Sequence, residues 1–303
     1  MSKYPAALAG AFPPGARWQR GVVLKSEREL DLMQQAGRIN ALALAAAAQA
    51  VRPMARTADL DAAAAEVLLQ HGAKAAFLGY GGPIPYPAVT TISVNDELVH
   101  GIPGDRRLQP GDIVSIDCGA VVEGFVGDSA LTLPVGEVSE EARRLMAATL
   151  AALFAGIDAM RLGRRTGDVS AAVQQTVEAE GFNVVRDYTG HGVGRAMHED
   201  PQVPNYGKAG TGLALKQGMT IALEPMVLAG GPETQVLQDQ WTVASLDGRL
   251  TAHFEHTVAV TADGPRVLTN LPPGLDSGLP GGYNDYFAGR PMTSEVEGGS
   301  VRS

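Results

Sequence analysis

A chain of 303 residues with 33 acidic and 24 basic side chains carries a net charge of −9, which excludes sequence-independent nucleic-acid binding through a basic surface. Its 45% hydrophobic residues suffice for the core of one domain of about 250 residues. The single cysteine, Cys118, excludes an internal disulfide framework and fits a reducing compartment, as a small buried residue rather than a nucleophile.

Residues 1–20, with Pro5, Pro13, Pro14 and scattered glycines, are expected to form an irregular extension. The opening MSKYPAALAGAF has too short an apolar run for a secretory signal, and no stretch is apolar and long enough to span a bilayer. The expected location is the cytoplasm, with neither a membrane nor DNA as partner. The spacing of apolar residues predicts helices over 26–51, 58–71, 139–161 and 167–180, the third opening at Ser139 ahead of Glu140 and Glu141. β-Branched and apolar runs predict strands over 89–95, 112–121, 125–133, 183–189, 219–229, 240–246 and 250–261. Helices with a mostly antiparallel, hairpin-connected sheet make the expected class α+β, in one domain over 21–268. The segment 269–303 is expected to be disordered or loosely draped, since residues 271–303 hold seven glycines and four prolines. Docking of Tyr283, Tyr286 and Phe287 on the body is the alternative.

Within the domain the sequence repeats itself. Arg52-x4-Thr57-x-Asp59, followed by a helix ending at Gly72, is matched 109 residues later by Arg161-x4-Thr166-x-Asp168 and a helix ending at Gly181. Thr57 and Thr166 read as N-caps, and the glycines as helix stops. LQPGDIVSID (108–117) is matched 107 residues later by LKQGMTIALE (215–224), so both copies end on an acid, Asp117 and Glu224. A duplicated helix–helix–strand unit would place those acids on either side of a pseudo-twofold axis.

Asp117, Asp128, His191, Glu224 and Glu255 all fall near ends of predicted strands. If Glu123-Gly124 is a two-residue hairpin loop, Gly119 opposes Asp128, and Asp117 becomes its diagonal neighbour on the same face. Diagonal positions lie roughly 7–8 Å apart, from which inward-leaning carboxylates reach two ions about 3.5–4 Å apart. His191 lies in TGHGVG, whose glycines let the backbone approach a site closely. Asp247-Gly248 is a second turn signal, predicted to fold 240–246 onto 249–255 and set Trp241 opposite Phe254, beside Glu255. Four carboxylates and an imidazole suit two divalent ions of the manganese, iron or cobalt kind better than a lone structural zinc. Buried carboxylates are costly unless paired or bound to metal, so the expected chemistry is metal-assisted hydrolysis.

The set NDELVHGIP, IDCGAVVEGFVGDSA, TGHGVGRAMHEDP, MTIALEP and HFEHT closely resembles methionine aminopeptidases of type I, over about residues 21–268. The resemblance implies a pita-bread fold with duplicated halves around a curved sheet. It implies two divalent ions held by Asp117, Asp128, His191, Glu224 and Glu255, with His100 and His198 as catalytic histidines and Glu224 also as proton shuttle. Tyr80 and Trp241 would wall the pocket for the substrate methionine, with Phe77 and Met197 beside them. The implied reaction is removal of N-terminal methionine from peptides and nascent proteins, favouring a small second residue, by a monomer that could associate with the ribosome. Phe77, Thr91 and Val99 stand where many relatives carry cysteine, Met197 replaces a common phenylalanine, and His253 replaces a common glutamine. The competing readings are an Xaa-Pro aminopeptidase or prolidase of the same fold, and a non-catalytic binding protein built on it.

Overall fold

The computed structural model describes residues 4–8, 11–12, 18–81, 83–272, 274–275, 277–279 and 283–290. Two helix pairs cover the outside of a curved sheet, each pair belonging to one copy of the repeat. Helices α1 (Glu27–Gln49) and α2 (Thr57–Gln70) precede the hairpin Ile113–Val122/Phe125–Pro134. Helices α3 (Glu140–Ala159) and α4 (Thr166–Ala179) precede the strand Thr220–Leu223. Ser26 opens α1 with a reciprocal cap: its hydroxyl accepts from the Glu29 amide, and the Glu29 carboxylate accepts from the Ser26 amide at 3.0 Å.

The backbone of α1 presses so closely on the hairpin that a Cβ at Gly127 would lie 2.4 Å from the Gly37 amide nitrogen. Only glycine fits there. Asn40 on α1 donates to the Ser129 hydroxyl at 2.8 Å, fixing the helix over the strand that carries Asp128.

The main sheet runs Gln19–Val22, Glu199–Pro204, Thr189–Gly192, Thr220–Leu223, Glu255–Thr261, Phe125–Pro134, Ile113–Val122, Lys74–Ala75, with Thr90–Val94 and Gly264–Val267 paired at its sides. All its pairings are antiparallel except that of the first two strands. The pseudo-twofold axis passes between Glu255–Thr261 and Phe125–Pro134, so Ile113–Val122 and Thr220–Leu223 occupy matching places. The expected hairpin register holds: Gly119 faces Asp128 and Asp117 faces Ala130, with Glu123 and Gly124 both at positive φ.

Several expectations are corrected. The N-caps of α2 and α4 are Arg56 and Arg165, not the threonines, and Asp59 and Asp168 accept from their amides at 3.0 and 2.8 Å. The threonine hydroxyls are engaged instead with neighbouring loops: Thr57 exchanges bonds with Gly104, and Thr166 accepts from the Leu213 amide. Asp247-Gly248 does turn, yet its flanks do not pair with each other. Val243–Ser245 joins Thr234–Val236 and Glu97–Val99, while Thr251–His253 joins Met226–Leu228. Asp247 spends its carboxylate on the Gly231 and Arg249 amides, and Trp241 lies against Tyr86 rather than opposite Phe254. The long strand runs break at Glu224-Pro225, where Glu224 leaves the ladder, and at Phe254, after which Glu255 opens a new strand opposite Ala130.

The tail also departs from a draped segment. Tyr283–Phe287 forms a short helix, α5, with Tyr286 and Phe287 fully buried. The Tyr286 ring stacks on His256 at 4.3 Å, and its hydroxyl lies 2.7 Å from the Ala130 carbonyl and 2.9 Å from the Glu255 carbonyl. Those aromatic residues outweigh the glycine and proline content around them. Positions 291–303 lie outside the described residues.

Candidate metal centre

The strand pairing decides where the acids meet. Asp117 and Asp128 face inward from one hairpin, Glu255 begins the strand next to it, and Glu224 leaves the end of Thr220–Leu223. His191 comes from Thr189–Gly192, paired with Thr220–Leu223 so that His191 faces Ala222. Asp128 lies within hydrogen-bonding reach of both Asp117 and Glu255. Donor atoms of Asp128, His191 and Glu255 lie within 4.8 Å of one another, and His191 Nε2 is 3.4 Å from Glu224 Oε1.

The chemistry of this cluster asks for cations. Asp117 Oδ1, Asp128 Oδ1 and Glu255 Oε1 are buried with no hydrogen-bond partner, a costly state that a metal ion relieves. His191 Nδ1 faces the Gly192 carbonyl at 2.9 Å, which can only accept. The proton therefore sits on Nδ1 and leaves the Nε2 lone pair aimed at the carboxylates, the arrangement of a metal-ligating histidine. The residues fit a divalent metal site, and its donor set is dominated by oxygen.

Burial pushes all four carboxyls well above their usual range, with neighbouring negative charge adding to it for Asp117, Asp128 and Glu255. Raised folded values mean that these acids stabilise the metal-free chain at low pH and cease to do so as pH climbs through them. Cations reverse the sign, because they bind the deprotonated forms. The gain in Tm on adding manganese or cobalt should therefore grow from about pH 5 to about pH 8, read by differential scanning fluorimetry. A pH-independent gain would contradict this account.

A cavity of about 240 Å³ opens beside the cluster. It is lined by every residue singled out above: the five donors, His100, His198, Tyr80, Trp241, Phe77 and Met197. The acids and His191 occupy one end. Phe77, Tyr86, Met197 and Trp241 give the remainder an apolar wall, in which Phe77 meets Tyr86 edge-on at 6.4 Å and Tyr86 meets Trp241 at 5.2 Å. Burial lowers His100 and His191 to about 4 and His198 well below its usual value, so all three are neutral imidazoles near pH 7. His100 holds a left-handed φ of 62°, a conformation uncommon for histidine and often found at functional sites.

Four features escaped sequence reasoning. Tyr80 is more than a wall: its hydroxyl is 2.7 Å from His198 Nδ1. Burial and the Asp128 charge push Tyr80 up to about 12, so it stays a neutral phenol, able to donate to that nitrogen. Trp18, from the supposed irregular extension, lines the cavity. Glu199, directly after His198, accepts from the Arg195 and Ala196 amides and pairs with buried Lys25 at 2.5 Å, which shapes the loop holding His198. His253 Nε2, unpartnered, lies 3.6 Å from Glu224 Oε2 and 3.9 Å from Glu255 Oε2. The acid beside His198 was a usable signal for Glu199; nothing local marked Trp18.

Buried acids that require cations, opening onto an apolar slot, are suited to cleaving peptide bonds, and the class so defined is metallopeptidase. A family model described as metallopeptidase family M24 matches residues 31–262. The chain belongs to that family. It is similar to a methionine aminopeptidase of Clostridium perfringens, 47% identical over 82% of this chain and 98% of the relative. Methionine aminopeptidase 1 of Bacillus subtilis is 45% identical over 82% of this chain and 100% of its own length. Among solved structures, a methionine aminopeptidase of Thermotoga maritima matches with TM-score 0.80 at 44% identity, covering 82% of this chain and 99% of that one. A prolidase of Pyrococcus furiosus shares the fold at 23% identity and TM-score 0.67, but only 66% of its length is covered. The fold is the α+β pita-bread of these proteins.

Proposed function

We propose that the protein removes N-terminal methionine from peptides and newly made proteins, with two divalent ions, cobalt, manganese or iron, held by Asp117, Asp128, His191, Glu224 and Glu255. The observation that carries this reading is one cavity with an acid-lined end and an apolar slot in contact. Residues 21–268 are the catalytic unit, and the cytoplasm is its place of action. Among the described residues no helix is long and apolar enough to cross a membrane.

Bound ions at such a centre polarise a carbonyl and lower the pKa of water. The protein's own groups do the rest. The methionine side chain fills the slot formed by Phe77, Tyr80, Met197 and Trp241. Glu224 has a side chain 13% exposed, against 2% for Glu255. It is thus placed to take a proton from the attacking water and pass it to the departing amine. His198 Nε2–H, held in that tautomer by Tyr80, donates to the carbonyl oxygen as charge develops there. His100, which lines the same cavity beside Tyr188 and Trp241, is the partner for the amide nitrogen.

The rival of the same fold, an Xaa-Pro aminopeptidase or prolidase, is separated by substrate. The protein loaded with cobalt or manganese should hydrolyse Met-Ala-Ser and leave Ala-Pro-Ala intact, followed by amino-acid release on chromatography. Preference for Ala-Pro-Ala would overturn the reading. No turnover of either peptide would favour a binding protein.

A further inference from the structure

We propose that Trp18 limits the size of the substrate's second residue by walling the cavity beyond the scissile bond, an inference that rests on the methionine-removing reading above. Trp18 precedes the family match at 31–262 and is carried to the cavity by a local device. The strand Gln19–Val22 that follows it lies parallel to Glu199–Pro204, and the Gln19 amide donates to the His198 carbonyl at 2.8 Å. Asp200 then pins the indole from below: one carboxylate oxygen accepts from Trp18 Nε1 at 3.0 Å and the other from the Gly21 amide at 2.7 Å. Arg20 adds an ion pair to the same carboxylate at 3.7 Å.

So held, the indole stacks on His198, with centroids 5.4 Å apart and planes 23° from parallel, and meets His191 edge-on at 5.9 Å. Among the described residues its ring contacts are with these two imidazoles. None is with Phe77, Tyr86 or Trp241. Trp18 thus flanks the reacting end of the cavity and not the apolar slot. With the methionine side chain in the slot and its carbonyl beside His198, the rest of the peptide leaves along the face that the indole occupies. A large second side chain would have to displace a ring fixed by both a stack and a hydrogen bond. A small one would not.

The test uses the full-length, metal-loaded protein and two peptides, Met-Ala-Ser and Met-Leu-Ser. Trp18→Ala should raise the ratio of kcat/KM for Met-Leu-Ser over Met-Ala-Ser about tenfold, the scale of discrimination by a few apolar carbons. Metal content should stay at the wild-type level. Should alanine unfold the segment, Trp18→Leu reads the same ratio with part of the apolar contact kept. A ratio within threefold of wild type, including an equal loss on both peptides, overturns the inference while leaving methionine removal standing. A wild-type protein inactive on both peptides overturns the functional reading and this inference with it.

Discussion

Asp117→Ala is expected to empty the metal centre and abolish hydrolysis while leaving the fold in place. Asp117 sits inside a long strand, paired with Thr91 on one side and Ala130 on the other. Alanine suits that ladder, as Ala120 and Ala130 already show. The substitution also removes a buried charge next to Asp128, which by itself relieves the metal-free chain. What it takes away is a donor oxygen that no other group replaces, since Asp117 Oδ1 has no partner within the protein. Outer partners of metal ligands typically contribute about 10–100-fold to affinity, and a direct donor should exceed that. Metal per chain after loading and dialysis, measured by plasma mass spectrometry alongside circular dichroism, reads both halves of the expectation. Two ions retained per chain would remove Asp117 from the ligand set.

His198→Ala should behave in the opposite way, keeping metal and losing rate. The ring of His198 lies 4.4 Å from that of His191, yet its Nδ1 is engaged by Tyr80, so in the proposed role it is Nε2–H that meets the substrate. Losing such a donor typically costs about 2.7–4 kcal/mol of barrier, so kcat should fall by about two to three decades. KM should move far less, because the bond strengthens only as charge builds on the carbonyl oxygen. Activity within threefold of wild type would reject the role, and loss of metal would recast His198 as a structural support.

How far the sequence could be read depended on how local each determinant is. The 113–134 hairpin was legible because a two-residue Glu-Gly loop fixes register, and register alone sets Asp117 diagonal to Asp128. The duplicated helices were legible because the Arg-x4-Thr-x-Asp pattern and the glycine stops recur at one offset, even though the cap falls one residue before each threonine. The Asp247-Gly248 turn formed as read, but its flanking strands found partners far away in the chain, which no local pattern reports. Tyr286 was obscured by the glycines and prolines around it; its stack on His256 depends on a surface built by other strands. Trp18 was illegible for the same reason. Its place is set by a parallel pairing with residues some 180 positions later, whereas its neighbours suggested only an irregular arm.

The internal repeat carries one more consequence. The first copy and its hairpin supply Asp117 and Asp128; His191 and Glu224 come from the second copy, as does Glu255, whose strand lies across the axis from Phe125–Pro134. Neither half on its own gathers all five of the proposed donors. With those donors, metal capture is expected to wait until nearly the whole domain has been synthesised and its two copies have joined. On the proposed ligand set a half-made chain has no complete centre to load, so firm cation binding is expected only once the halves have met.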